Sequence, residues 1–225
     1  MNSRIVESAQ TTIHAHLTEL VQKHAQTTYL RPIAEFSATT FKHFERLFAA
    51  SKKERLIIDS GCGVGESTAV LAEQFPDAFV VGFDRSEHRT NKHYYRQETS
   101  NYAVLRAEVE DMWRLLLSAP YSKIIDFHAL YYPNPYPKPR HIMRRWHGHP
   151  LLLPMLNLAP KTEVRTNWRI YAEEFAFAAS TLGFSAEMQD ISTIKPMTAF
   201  ERKYQASGHT LFQVMVVKSS EGADS

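Results

Sequence analysis

The sequence predicts an α/β fold with a mostly parallel, seven-stranded sheet, helices on both faces of the sheet and a helical N-terminal extension. Short apolar, β-branched runs alternate with helical stretches from about residue 55 onward, which is typical of a parallel sheet covered by helices. Residues 1–50 show helical spacing of apolar residues and contain no glycine. Two predicted strands end in an acid, Asp59 and Asp84, at the edge where open α/β sheets bind ligands.

Composition narrows the possible compartments and partners. The 225 residues carry a formal charge of +2, so only local clusters could bind nucleic acid, and the densest is Lys138-Pro139-Arg140 with Arg144-Arg145. The single cysteine, Cys62, excludes an intrachain disulfide and fits a reducing compartment. Because neither a membrane-length apolar run nor a signal-peptide core is present, we expect a cytoplasmic protein without a membrane partner.

The N-terminal residues predict two helices separated near Leu30–Ile33, because Pro32 interrupts the apolar spacing. We therefore predict an extension over residues 1–50, one domain over 51–218 and a disordered tail over 219–225. The histidines at 14, 16 and 24 do not share one helix face, and those at 141, 147 and 149 have no cysteine or acid at ligand spacing. We expect no metal site.

The remaining elements follow from apolar runs bounded by turn residues. Strands are predicted at 56–59, 79–83, 102–105, 124–130, 162–166, 184–191 and 210–217, with a long polar loop before the last. Helices are predicted at 66–75, 86–98, 109–117, 143–158 and 168–182.

A glycine loop follows the first strand. Gly61, Gly63 and Gly65 let the backbone turn tightly and let a ligand approach. A dinucleotide site needs a small residue where Glu66 stands, and a carboxylate there would repel a pyrophosphate. A phosphate-binding P-loop is also excluded, because no Gly-Lys-Ser/Thr follows.

Asp59 and Asp84 suit a ligand with an ammonium group and a ribose diol, both of which S-adenosylmethionine has. Glu108, just after the third strand, could face the adenine, or could equally be an acid that favours a helix N-terminus. Cys62 has no base partner in the sequence pattern and is interpreted as a small loop residue rather than a nucleophile.

A proline-rich loop follows the fourth strand. It runs Pro133-Asn134-Pro135-Tyr136-Pro137-Lys138-Pro139-Arg140-His141, where alternating prolines prevent both helix and strand pairing. Such a stiff, aromatic and basic loop suits a nucleotide partner. Tyr131 and Tyr132 are expected to pack on the sheet rim.

Four ordered motifs make residues 55–217 resemble a known family. The Asp59–Gly65 segment resembles the cofactor motif of class I S-adenosylmethionine-dependent methyltransferases, which have a Rossmann-like fold. The proline-rich loop with Arg144-Arg145 resembles the signature of the bacterial tRNA (guanine-N7)-methyltransferases. Thr166-Asn167-Trp168 is similar to that family's Thr-Asp-Trp, and Thr198-Ala199-Phe200-Glu201 to its Thr-x-Phe-Glu.

The resemblance implies an enzyme that methylates guanine N7 in tRNA, and it implies roles for matching positions. Cofactor contacts would come from Asp59, Gly61, Gly63, Gly65, Asp84, Glu108 and Asn134. Asn134 would also take part in catalysis, and substrate contacts would come from Lys138, Arg140, Asn167, Thr198, Phe200 and Glu201.

The chain departs from the family pattern at several positions. Asn134 and Asn167 each replace an aspartate, Tyr136 replaces a tryptophan, and Pro139 interrupts the basic stretch. Two alternatives therefore stay open: a methyltransferase of the same fold that acts on a small molecule or a protein, and a non-catalytic module that binds cofactor or RNA. The sequence also leaves open whether the protein is a monomer or a homodimer.

Overall fold

The computed structural model describes residues 3–92, 101–192 and 195–218. Within them the strands are β1 (Arg55–Ser60), β2 (Ala78–Asp84), β3 (Tyr102–Arg106), β4 (Ile125–Tyr131), β5 (Lys161–Thr166), β6 (Ser185–Ile191) and β7 (Leu211–Val217). The α-helices are α1 (Leu17–Ala25), α2 (Glu35–Ser51), α3 (Glu66–Gln74), α4 (Glu87–Asn91), α5 (Val109–Ser118), α6 (Leu152–Leu156), α7 (Arg169–Thr181) and α8 (Ala199–Ala206).

The strands form one seven-stranded sheet in the order β3-β2-β1-β4-β5-β7-β6. The pairs β1–β2, β1–β4 and β2–β3 are parallel, whereas β7 runs antiparallel to β5 and β6. The predicted α/β class with a mostly parallel sheet is therefore confirmed.

The chain divides into two compact units. One contains residues 31–131, and the other contains residues 1–30 together with 132–225. The predicted division into residues 1–50 and 51–218 is a different partition and stays a prediction. The predicted tail over 219–225 lies outside the described residues.

In the unit of residues 31–131, the central strands are buried along almost their whole length, as expected of parallel strands covered on both faces. Helix α2 packs on β2 through aromatic rings. Phe44 lies edge-on to Phe83 at 6.2 Å between ring centroids, and Phe48 lies edge-on to Phe79 at 5.9 Å. The second N-terminal helix therefore covers the sheet.

In the unit of residues 1–30 and 132–225, helix α1 buries Leu17 and Val21, and helix α7 buries a broad apolar face. The predicted long helix over 143–158 is wrong. Two 3-10 turns (Pro139–Arg144 and Trp146–Gly148) precede the short α6. Gly148 makes a tight turn, since a Cβ there would lie 2.3 Å from the carbonyl oxygen of Ile142.

The long polar loop predicted before β7 is also corrected, because it contains α8. Thr198 is the N-cap of this helix, and its hydroxyl accepts a hydrogen bond from the Glu201 N–H at 3.0 Å. Of the helix predicted over 86–98, the structure shows α4, and residues 93–98 lie outside the described part. Every described helix is too short or too polar to span a bilayer.

Candidate functional site

The glycine loop in the unit of residues 31–131 has the geometry that its sequence predicts. Gly61, Gly63 and Gly65 have φ values of 72°, 60° and 77°, which favour glycine. A Cβ added at Gly61 or Gly63 would meet no atom within 4 Å, so the space beside this part of the backbone is open. A ligand could approach the loop here.

Asp59, at the end of β1, is 1% exposed and only partly satisfied. Its Oδ2 accepts hydrogen bonds from the hydroxyls of Ser67 at 2.6 Å and Thr68 at 2.7 Å, in the first turn of α3. Its Oδ1 is buried and has no hydrogen-bond partner among the described residues. Burial raises the pKa of Asp59 to about 6, and the two hydroxyl hydrogen bonds oppose this rise while the charge of Asp84 adds to it.

Asp84, at the end of β2, holds the glycine loop. Its Oδ2 accepts from the Gly63 N–H at 3.0 Å, and its Oδ1 accepts from the Ser86 N–H at 2.8 Å. Arg89 adds an ion pair at 3.2 Å. Oδ2 can accept a second hydrogen bond beside that from Gly63, so Asp84 keeps acceptor capacity for a ribose hydroxyl.

Cys62 lies inside the same loop as a buried thiol. Burial, followed by the charges of Asp59 and Asp84, raises its pKa well above the usual range of a thiol. A thiol held in its neutral form is a poor nucleophile, which supports its interpretation as a small loop residue.

Glu108 is the N-cap of α5 but makes no side-chain cap hydrogen bond. Its backbone N–H donates to the Ser37 hydroxyl at 3.2 Å. This position suits both interpretations of the sequence, namely a favourable charge near a helix N-terminus and a ligand contact. Its role in cofactor binding stays a prediction.

The proline-rich loop belongs to the other unit, and its basic side chains separate into two groups. Lys138, Arg140 and Arg144 are exposed, whereas Arg145 is completely buried. Partial desolvation and the charges of the neighbouring arginines and Lys138 lower the pKa of His141, so the exposed group carries a positive potential. The sequence interpretation of Arg145 as part of a nucleic-acid-binding cluster is therefore wrong.

Arg145 instead forms a buried ion pair with Glu174 of α7. Its Nη1 lies 2.5 Å from Oε2 of Glu174, and its guanidinium lies 4.7 Å from the centroid of the Trp168 ring. It also donates to two carbonyl oxygens of the proline-rich loop, those of Tyr136 at 3.1 Å and Lys138 at 3.4 Å. Arg145 thus fixes the backbone that presents the exposed cations.

Glu174 is satisfied on both oxygens. Oε1 accepts from the His14 N–H at 2.8 Å and from the Gln10 amide at 2.5 Å, and Oε2 also accepts from His147 at 2.8 Å. Burial raises the pKa of Glu174, but His147 and Arg145 outweigh burial and hold it at about 2. The N-terminal segment is therefore part of the support of this loop.

Asn134 is exposed, and its Oδ1 accepts a hydrogen bond from the Tyr136 N–H at 3.4 Å in a local turn. Tyr136 and Tyr132 both have positive φ, 44° and 50°. The ring of Tyr132 packs against that of Tyr204 at 5.5 Å, and Tyr131 is buried, as expected for residues on the sheet rim.

The predicted substrate residues near α8 have different exposures. Phe200 is 54% exposed, whereas Glu201 is fully buried. Both carboxylate oxygens of Glu201 are occupied, Oε1 by Arg165 at 3.0 Å and Oε2 by the Met197 N–H at 2.9 Å. A role of Glu201 toward substrate stays a prediction, and in this arrangement it would act through Arg165.

Comparison with known proteins identifies the family. Residues 53–214 match the sequence model of a family described as "Putative methyltransferase". The chain belongs to this family. A tRNA (guanine-N(7)-)-methyltransferase of Nitrosococcus oceani is 26% identical over 175 residues, which are 75% of this chain and 74% of that protein. One of Acinetobacter baylyi is 26% identical over 200 residues, 84% of this chain and 79% of that protein.

Solved structures share the fold of this methyltransferase. A mutant 16S rRNA (adenine(1408)-N(1))-methyltransferase from Catenulisporales acidiphilia gives a TM-score of 0.55 at 16% identity, covering 80% of this chain and 92% of that one. The 16S rRNA methyltransferase KamB gives a TM-score of 0.55 at 16% identity, and the match covers 85% of this chain and 97% of that one.

Sequence reasoning missed the residues that support the predicted site. Glu174 could have been noticed, because it is an acid on the apolar face of α7 beside Tyr171, Phe175 and Ala178. Gln10 donates to Glu174, and His209 contacts the amide of the predicted substrate residue Asn167 at 3.1 Å. Neither residue carries a comparable signal, since these partners are far away in sequence. Across the described stretches, metal-ligating side chains do not gather in groups of three or more.

Proposed function

We propose that this methyltransferase uses S-adenosylmethionine to methylate N7 of a guanine in tRNA. The observation that carries the proposal is the glycine loop with its two acids in a chain of a methyltransferase family. The proposed substrate, N7 of a guanine in tRNA, rests on the names of the two relatives described above, whose matches cover about three quarters of the chain or more.

The loop residues fit the methyl donor. The buried Oδ1 of Asp59, which lacks a partner among the described residues, can accept from an ammonium group, and Asp84 can accept from ribose hydroxyls. The open space beside Gly61 and Gly63 admits a ligand against the backbone. Glu108 would contact the adenine, and Gly65 would allow the turn into α3.

The exposed cations fit an RNA backbone. Lys138, Arg140 and Arg144 would neutralise phosphates, and their loop is fixed by Arg145. Phe200 would stack on a base, while Asn167 and the Thr198–Glu201 segment would contribute to recognition. A tRNA substrate and a single buried cysteine fit the proposed cytoplasmic location.

The chemistry needs little from the side chains beyond orientation. When bound, S-adenosylmethionine supplies a methyl group on a sulfonium. Guanine N7 has an in-plane lone pair and no proton, so no residue has to act as a general base. The protein must hold N7 in line with the methyl group and exclude water. Asn134 would stabilise the cation that grows on the purine through its amide dipole, more weakly than a carboxylate would.

Methyl transfer from labelled cofactor tests this proposal. Purified chain should label tRNA, and neutralising Lys138, Arg140 and Arg144 together should weaken tRNA binding and reduce its salt dependence. A triple variant at the exposed lysines Lys42, Lys52 and Lys123 is a control. If none of the cellular RNA fractions becomes labelled, the proposal is excluded.

The two asparagines favour one alternative, a methyltransferase of this fold with another substrate. An amide keeps an acceptor but loses the negative charge that a cationic purine would favour. Labelling of a nucleic-acid-free metabolite extract or of protein, without labelling of RNA, would support this alternative. Asn134→Asp should raise guanine methylation if the lost charge limits the reaction.

A further inference from the structure

Asn167 and His209 form a hydrogen-bonded pair whose direction can be deduced. Nδ2 of Asn167 lies 3.1 Å from Nδ1 of His209, and Nε2 of His209 lies 3.1 Å from the carbonyl oxygen of Ser3. A carbonyl oxygen can only accept, so Nε2 carries the ring hydrogen. In the neutral ring Nδ1 is then the acceptor, and the partner facing it must be the amide nitrogen of Asn167.

This pairing fixes the orientation of the Asn167 amide, because the nitrogen side must face Nδ1 of His209. One N–H of the amide nitrogen donates to His209, whereas Oδ1 makes no hydrogen bond in the part of the chain that the structure describes. Asn167 therefore presents an acceptor oxygen. The aspartate of the resembling Thr-Asp-Trp motif would also present an acceptor.

The histidine ring is held in place on its other sides. It stacks on Tyr204 at 5.3 Å with an interplanar angle of 17°. Ser3, whose carbonyl oxygen accepts the hydrogen bond from Nε2 of His209, is itself held in place. Its backbone N–H donates to the Ser207 hydroxyl at 2.9 Å. The N-terminal backbone thus selects the tautomer of His209.

We propose that His209 is a positioning residue that turns the Asn167 amide so that its oxygen receives the N–H donors of a guanine. Guanine carries such donors at N1 and N2, so a fixed acceptor favours it over a base edge that lacks them. The guanine part of this inference rests on the proposed function. The tautomer part stands on the geometry alone.

Two variants separate the hydrogen bonds from the ring stack. His209→Phe keeps a ring against Tyr204 but loses both nitrogens, whereas His209→Gln loses the ring and keeps one donor and one acceptor. We expect His209→Phe to lower kcat/KM for tRNA about tenfold, mainly through KM, and His209→Gln to retain most of it. His43→Phe, at an exposed position of α2, is the matched control and should have no effect.

Nitrogen NMR of the histidine rings reads the tautomer without any activity. We expect His209 to carry its hydrogen on Nε2 in the wild-type protein, and a hydrogen on Nδ1 would overturn the inference whatever the protein methylates. The inference would also be overturned if the His209→Phe variant were as active as wild type. The same holds if His209→Phe kept its activity while His209→Gln lost it. If the tautomer is as expected but wild-type protein methylates no RNA, the proposed function fails and the role toward guanine fails with it.

Discussion

Asp59 and Glu174 are equally buried carboxylates in two different units, and their surroundings are opposite. Among the described residues, Asp59 has no cation partner and its Oδ1 has no hydrogen-bond partner, and its pKa is raised to about 6. Glu174 has Arg145, two further side chains and a backbone N–H, and a pKa held at about 2. A satisfied buried charge supports structure, whereas an incompletely satisfied one costs stability and is typical of a binding site.

The largest effect is expected at Arg145. Replacing it with Met would leave Glu174 buried without its cation, and breaking such a pair costs about 3–5 kcal/mol of the free energy of unfolding. The adjacent Arg144 is exposed, so Arg144→Met is a matched control that should leave stability nearly unchanged and should weaken tRNA binding. Urea unfolding measures the first property and filter binding the second. Equal stability losses in both variants would contradict the role of Arg145.

Replacing Asp59 is expected to change the free energy of unfolding by a smaller amount and in the opposite direction, toward greater stability at pH 7. Because its folded pKa is raised above the unfolded value, the folded state keeps its proton as pH rises from about 4 to about 6, so the free energy of unfolding falls over this window. A shift of about two pKa units corresponds to about 3 kcal/mol. Asp59→Asn should recover up to this amount at pH 7 and weaken S-adenosylhomocysteine binding.

Unfolding of wild type and Asp59→Asn at pH 4 and pH 7, with calorimetric titration of S-adenosylhomocysteine, checks both parts. The difference in stability should be near zero at pH 4 and large at pH 7. A variant that is less stable than wild type at pH 7, or that binds the ligand equally well, would show that Asp59 is structural.

The smallest effect concerns Ser67, which donates to Asp59 at 2.6 Å. Ser67→Ala should raise the pKa of Asp59 further and cost about 1 kcal/mol at pH 7, because the ionised carboxylate loses a donor. Carboxyl NMR of Asp59 during a pH titration measures the shift. Ser51→Ala, at the end of α2, is a control that should not move this pKa.

Local sequence was sufficient for the glycine loop and the strands around it. The turn at Gly61–Gly65 and the acids at the ends of β1 and β2 depend on neighbouring residues, so their spacing predicts them. Helix α8 was missed although Thr198 and Glu201 have the spacing of a capping motif.

The support of the proline-rich loop could not be predicted in this way. Arg145 follows the exposed Arg144 in sequence, yet it is buried and pairs with Glu174, 29 residues away. Gln10 joins the same cluster from 135 residues away. Burial of a charged side chain depends on such long-range partners, which a single sequence does not reveal.

The central claim is methylation of guanine N7 in tRNA by this chain. Mass spectrometry of nucleosides from unmodified tRNA, incubated with the protein and methyl-labelled S-adenosylmethionine, tests it most directly. We predict labelled 7-methylguanosine, which should decrease in the Asp59→Asn variant. Label in another nucleoside, or none with a folded protein that binds S-adenosylhomocysteine, would contradict the claim.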